Sequence, residues 1–184
     1  MSHKPVLTAL DQGPAPDFPE LASRYLQEYL DKILYALEHL DDRDLWWRPA
    51  PGTNSVGNLM LHLAGNLSLW ILQGLGGQPV DRDRAAEFTA DGSHASHTRA
   101  QLIERLAKVI AACRGLLVDL SESELRRVRT IQGYRIDGQA ALFHAVEHMS
   151  YHTGQILWAV KMRSGEDSGD GGEGFELYPQ HGGE

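Results

Sequence analysis

At 184 residues and 20.4 kDa, with 42% hydrophobic and 23% charged residues, the chain has the size and composition of one globular domain. Its net charge of −8 is unevenly placed: residues 164–184 hold six acids, seven glycines and no Lys or Arg, so the preceding 163 residues carry only −2. That nearly neutral body, without a basic stripe, argues against nucleic acid as the main partner, and the single Cys113 cannot form an intramolecular disulfide.

The chain divides into an N-terminal arm (1–16), a helical domain (17–163) and an acidic, glycine-rich tail (164–184) in which Phe175, Leu177 and Tyr178 leave docking open. The first twenty residues contain Pro5, Pro14, Pro16 and Pro19 and lack the apolar run of a signal peptide, which predicts a cytoplasmic protein. The apolar stretch Leu59 to Leu75 is broken by His62, Asn66, Ser68 and Gln73 and is too short and too polar to span a membrane.

Asp17, with Pro19 in the first turn and Glu20 as capping-box partner, opens a first helix carrying Leu21, Tyr25, Leu26, Tyr29, Ile33 and Leu37 at helical spacing and ending near His39. After the breaker Arg48-Pro49-Ala50-Pro51-Gly52, Asn54 or Ser55 caps a second helix that stops at Gly74 to Gly77. Gln78 to His97 is polar and reads as a long loop. Thr98 opens a third helix with Leu102, Leu106, Ile110, Cys113 and Leu117 on its apolar face, where Cys113 reads as a buried, inert thiol.

Ser121 to Glu124 signals a short helical turn, Val128 to Ile136 reads as extended around Gly133, and Asp137 caps a fourth helix from Gly138 to Arg163. Four amphipathic helices with at most one weak strand pair indicate an all-α helical bundle. Trp46, Trp47, Trp70 and Trp158 read as core and interface residues.

Nine histidines are present, and three form a ladder on the fourth helix: His144, His148 and His152. Neighbours four residues apart share a helix face about 6 Å apart, so an i, i+4 pair makes a rigid two-ligand clamp. A third ligand must come from another helix, and His62 lies in the middle of the second, between Leu61 and Leu63. One divalent ion satisfies all three imidazoles at once, whereas a lone core histidine, or a polar layer without metal, needs a separate partner for each. His144 lies about 80° around the helix from His152 and reads as an outer, supporting or solvent-facing residue. His39 sits at a helix end, His94 and His97 in the loop, and His3 and His181 in the terminal segments.

The stretches Leu45-Trp46-Trp47-Arg48-Pro49-Ala50-Pro51-Gly52-Thr53-Asn54-Ser55, Asn58-Leu59-Met60-Leu61-His62-Leu63-Ala64-Gly65 and Glu147-His148-Met149-Ser150-Tyr151-His152-Thr153-Gly154-Gln155-Ile156 resemble the DinB/YfiT-like metalloenzyme superfamily over roughly 21–163. The resemblance implies an antiparallel four-helix bundle with a long connection between helices two and three. It also implies a metal held by His62, His148 and His152, the triad already reached from spacing. Many members resemble H-R-G-Q after the last ligand, where this chain has His152-Thr153-Gly154-Gln155, so an anion-binding role at Thr153 does not carry over. A homodimer is a further implication of the resemblance.

Three neutral imidazoles leave a divalent ion with an open coordination position, which fits a catalytic site. Zinc is the first expectation, with nickel or iron as alternatives, because neutral imidazole suits each of them. Superfamily members of known activity use a metal-bound low-molecular-weight thiol, so the expected function is a thiol-dependent S-transferase or a hydrolase acting on a small molecule. Its rival is a non-catalytic metal-binding or stress-associated bundle. Asn58, Asn66, Tyr151 and Gln155 are candidates to line the cavity, with Asn58 and Asn66 equally able to make internal polar contacts. Glu147 is a candidate to orient an imidazole, and Gly154 to permit close helix packing.

Overall fold

The computed structural model describes residues 16–93 and 97–166. Residues 1–15 of the N-terminal arm, His94 and almost all of the acidic tail, with His3, His181, Phe175, Leu177 and Tyr178, lie outside those residues. The elements are α1 (Phe18–Leu37), α2 (Val56–Leu67) prolonged by a π-helical turn (Ser68–Gln73), α3 (Arg84–Thr89), α4 (Arg99–Val118), α5 (Glu122–Arg126), a hairpin of β1 (Val128–Ile131) and β2 (Tyr134–Asp137), and α6 (Gly138–Glu166). Among the described residues no helix is long and apolar enough to cross a membrane.

The helix starts follow their capping chemistry. The Asp17 carboxylate accepts from the Glu20 amide at 2.9 Å, but the Glu20 side chain pairs with Arg24 instead of closing the expected box. Ser55, and not Asn54, caps α2 in a full box with Asn58, and Thr98 does the same for α4 with Gln101. Asp137 accepts from the Ala140 amide at 2.8 Å at the head of α6. Gln132 and Gly133, both at positive φ, form the two-residue turn joining β1 to β2, which resolves the extended stretch into a hairpin.

Side-chain contacts give the helix directions. Arg99, at the start of α4, reaches the carbonyls of Leu37 and Leu40 beyond the end of α1, while Arg114 reaches Ser23 and Gln27, so α1 and α4 are antiparallel. His62 meets His148 and His152, and Trp70 meets His144, so α2 and α6 are antiparallel as well. Phe18 and Phe143 line one depression at one end, and Arg163 binds Asp44 at the other, so α1 and α6 run the same way. The remaining pair, α2 and α4, is therefore parallel, and its connection must travel back along the bundle. That need accounts for the long segment 74–98, which is not wholly a loop: Asp83 caps the short α3 within it.

The core is one cluster from all four long helices, with Leu26, Ile33, Leu63, Leu67, Leu106, Ile110, Leu142 and Met149 fully buried. Cys113 is buried there, and burial pushes its thiol up to about 12. Trp70 is buried and Trp46 packs against the core, whereas Trp158 is 54% exposed on α6 and does not belong to the core. Trp46 ties the connection to the bundle, because its indole fills the space that a Cβ would need at Gly57 of α2 and at Gly92 of the connection. At Gly57 the nearest indole atoms stand 2.7 Å from an ideal Cβ, and a rigid ring cannot yield there. Gly57→Ala should therefore destabilise the protein by about 1–3 kcal/mol. Urea unfolding followed by circular dichroism would register it as a lower midpoint at unchanged slope.

Candidate metal centre

His62 points from the middle of α2 into the seam with α6, where His148 and His152 project from successive turns. The ligand nitrogens of the three rings all lie within 4.8 Å of one another. The rings meet edge-on, with centroids 5.0, 5.0 and 4.4 Å apart. Nε2 of His62 and Nε2 of His148 are 2.9 Å apart, closer than two lone pairs tolerate without a proton or a cation between them.

Two of the three imidazoles are fixed in the tautomer that ligation needs. The Glu87 carboxylate lies 2.8 Å from Nδ1 of His62, and because a carboxylate only accepts, Nδ1 carries the proton and Nε2 presents its lone pair. Nδ1 of His152 donates to Oε1 of Gln155 at 2.7 Å, which leaves its Nε2 free in the same way. Arg82 holds Glu87 through Nε to Oε1 at 2.6 Å and through Nη2 at 2.9 Å to Oε2, the oxygen that also faces His62. Burial opposes the charge on Glu87, but the hydrogen bonds from Arg82 and His62 outweigh it and hold the carboxyl below its ordinary range.

Burial is also the main reason that His148 is pushed down to about 3, helped by the charges of His152, His62, His144 and Arg82. His152 is lowered by burial and by His62, partly opposed by its bond to Gln155 and by the nearby Glu147 charge. Both imidazoles are thus held neutral at ordinary pH, the form in which they ligate metal. Three convergent imidazoles, two of them with Nδ1 tied back, fit a divalent transition ion.

A cavity of about 710 Å³ opens beside His62 and His148. Its walls include Asn66 and Trp70 from α2 and its π turn, Arg82 and Arg84 from the connection, Gln132, Tyr134 and Ile136 from the hairpin, and His144 from α6. The His144 ring lies tilted against Trp70 with centroids 4.2 Å apart and 5.6 Å from His148, so it borders the cavity outside the triad.

The other candidate residues take different places. Asn58 does not line the cavity: it is fully buried, and its Nδ2 donates to the carbonyls of Glu87 at 3.0 Å and Ala90 at 2.8 Å, pinning the connection to α2. Tyr151 is 59% exposed with its ring edge-on to His152, because one residue along a helix turns the side chain about 100° away from the seam. Gln155 is exposed apart from its bond to His152, and Glu147 faces solvent and influences His152 only through its charge. Gly154 faces outward with nothing within 4 Å of its Cβ position, so no neighbouring helix approaches there. Thr153 is buried and donates to the Met149 carbonyl at 2.7 Å.

Glu87 and Arg82 are the functional residues that the periodicity did not reveal. Their only local cue is the N-cap Asp83 followed by Ala85-Ala86-Glu87-Phe88, a helix start hidden in a polar stretch.

The sequence profile of the DinB superfamily matches residues 25–156. The chain belongs to the DinB superfamily. Solved structures share its fold at low identity. A conserved protein from Enterococcus faecalis matches with a TM-score of 0.64 and 20% identity over 82% of this chain and 99% of its own. A DinB-like protein from Bacillus cereus matches at 0.59 and 19% over 76% and 91%, and one from Bacillus subtilis at 0.58 and 18% over 77% and 91%. No curated protein matches the sequence significantly.

Gly65 gives a way to disturb the centre without touching a ligand. A Cβ there would fall on Oε1 of Glu87 and stand 2.8 Å from Nε of Arg82. Gly65→Ala and Glu87→Gln should each lower zinc affinity by about 10–100-fold while leaving the three histidines in place. Competition with a chromophoric chelator would measure this, and unchanged affinity in both variants would mean that Glu87 does not orient His62.

Proposed function

We propose that this DinB-superfamily protein is a metal-dependent enzyme acting on a small molecule, with His62, His148 and His152 as the ligands of one divalent transition ion. The observation that carries the reading is the convergence of three imidazoles, two with Nδ1 tied back, on the edge of an open cavity. A purely structural ion would be enclosed by four protein ligands, whereas here the walls leave room for a substrate. Zinc is the preferred ion, followed by nickel and iron.

An ion held there supplies Lewis acidity and brings a water or a low-molecular-weight thiol toward its conjugate base near neutral pH. Hydrolysis and thiol-dependent S-transfer are the two reaction classes that this serves. Glu87 and Gln155 keep the imidazoles oriented, and Arg82 and Arg84 place positive charge on the cavity wall. His144, facing the cavity outside the triad, is the side chain positioned to exchange a proton with a bound substrate.

Metal content of untagged protein, by mass spectrometry, tests the site. About one transition ion per chain should be found in the wild type and lost in the His148→Ala, His152→Ala double variant. Equal and negligible metal in both would sink the reading and leave the alternative of a bundle with a polar histidine layer.

The outer face of α6 supports a homodimer. Phe143, Tyr151, Trp158 and Met162 are all exposed and fall within roughly 100° of one another around the helix. Trp158→Glu should shift sedimentation from dimer to monomer; a wild-type monomer would remove this assignment.

A further inference from the structure

Among the buried side-chain atoms without a hydrogen-bond partner, three belong to residues lining the cavity beside the histidines: Nη1 of Arg82, Nε1 of Trp70 and Oδ1 of Asn66. All three side chains are more than nine-tenths buried, with exposures of 8% for Arg82, 3% for Trp70 and 4% for Asn66. An unpaired buried polar group is costly, and three of them belong to residues that border one cavity.

The chemistry of the orphans is specific. Two are donors and one is an acceptor. Arg82 spends Nε and Nη2 on Glu87, which leaves Nη1 as its remaining hydrogen-bonding nitrogen. Among the described residues lining the cavity, the formal charges are those of Arg82 and Arg84, both positive, and no carboxylate is present. Trp70 sits on the π-helical turn, an irregularity often found at functional sites because it re-aims a side chain at local energetic cost.

We propose that this wall is the recognition site for the carboxylate of a small organic acid, bound next to the metal centre. One carboxylate oxygen accepts from Nη1 of Arg82 and the other from Nε1 of Trp70. Oδ1 of Asn66 accepts from a hydroxyl or amino donor on the adjacent carbon. A 2-hydroxy or 2-amino acid unit matches that set of two donors and one acceptor, whereas a phosphate or sulfate would bring more oxygens than there are donors to meet them. The three atoms are shielded from solvent, so entry requires a side-chain-scale shift of the wall. On that wall the Tyr134 ring is 65% exposed and 6.4 Å from Trp70.

The inference deepens the proposed enzymatic reading by naming the substrate class, but the binding step needs no metal and is tested on chelator-treated protein. The probe is glycolate, titrated while the indole N–H resonance of Trp70 is followed by NMR and assigned by Trp70→Phe. Glycolate should shift that resonance saturably up to about 0.1 M, where a ligand with a Kd near 10 mM is mostly bound. The neutral glycolamide should leave it unmoved, and sulfate should bind at least tenfold more weakly than glycolate. Arg82→Lys, which keeps a cation for Glu87 but removes the second donor arm, should weaken glycolate at least tenfold. Trp70→Phe, followed by calorimetry, should weaken it severalfold with the fold intact. No shift in the wild type, equal binding of glycolamide or sulfate, or full affinity in both variants would overturn the assignment. Because no metal is present, these outcomes are separate from loss of the ion in the histidine variants.

Discussion

The hydrogen bond between Glu87 and His62 is where the bundle and its long connection become one structure. It joins a carboxylate carried on a short helix of the connection to an imidazole in the middle of α2, and other contacts cooperate to hold it. Asn58 pins the backbone of Glu87 and Ala90, Trp46 fills the slot between Gly57 and Gly92, and Gly65 leaves the gap into which Glu87 and Arg82 fit. Without that carboxylate His62 would be a buried ring free to take either tautomer. With it, the ring has one proton position and one direction for its lone pair.

The polar residues in the interior of α2 make sense together. His62, Asn58 and Asn66 would be costly in an apolar helix that lies almost wholly buried. Asn58 is satisfied by backbone, and His62 by Glu87 and the facing histidines. Only Asn66, a residue that borders the cavity, keeps an orphan oxygen. The same burial that makes these groups expensive keeps His148 and His152 neutral.

Much of this was readable in the chain. Apolar residues at helical spacing gave the four long helices, and capping residues placed their starts within a residue or two. The i, i+4 relation of His148 and His152, with one histidine central to α2, indicated a shared point that the folded chain does bring together. What spacing cannot supply is the rotation of a helix against its neighbours. Spacing alone therefore points Tyr151 and Gly154 inward although they face outward, and leaves Asn58 between a cavity role and the internal polar contacts that it makes. Glu87 is hidden for a different reason: it lies 25 residues from His62 in a stretch whose polarity reads as solvent-exposed, and only tertiary packing turns that stretch inward.

The parallel course of α2 and α4 has a consequence for how such a protein can change. The three imidazoles come from α2 and α6, whose packing is tightly constrained, while the carboxylate that orients one of them and both guanidinium groups on the wall come from the single returning segment between α2 and α4. Alterations in that segment would reshape the chamber and its charge without moving the histidines. One scaffold can in this way keep its reactive centre fixed while the selection of molecules admitted to it is rewritten elsewhere, in about two dozen contiguous residues.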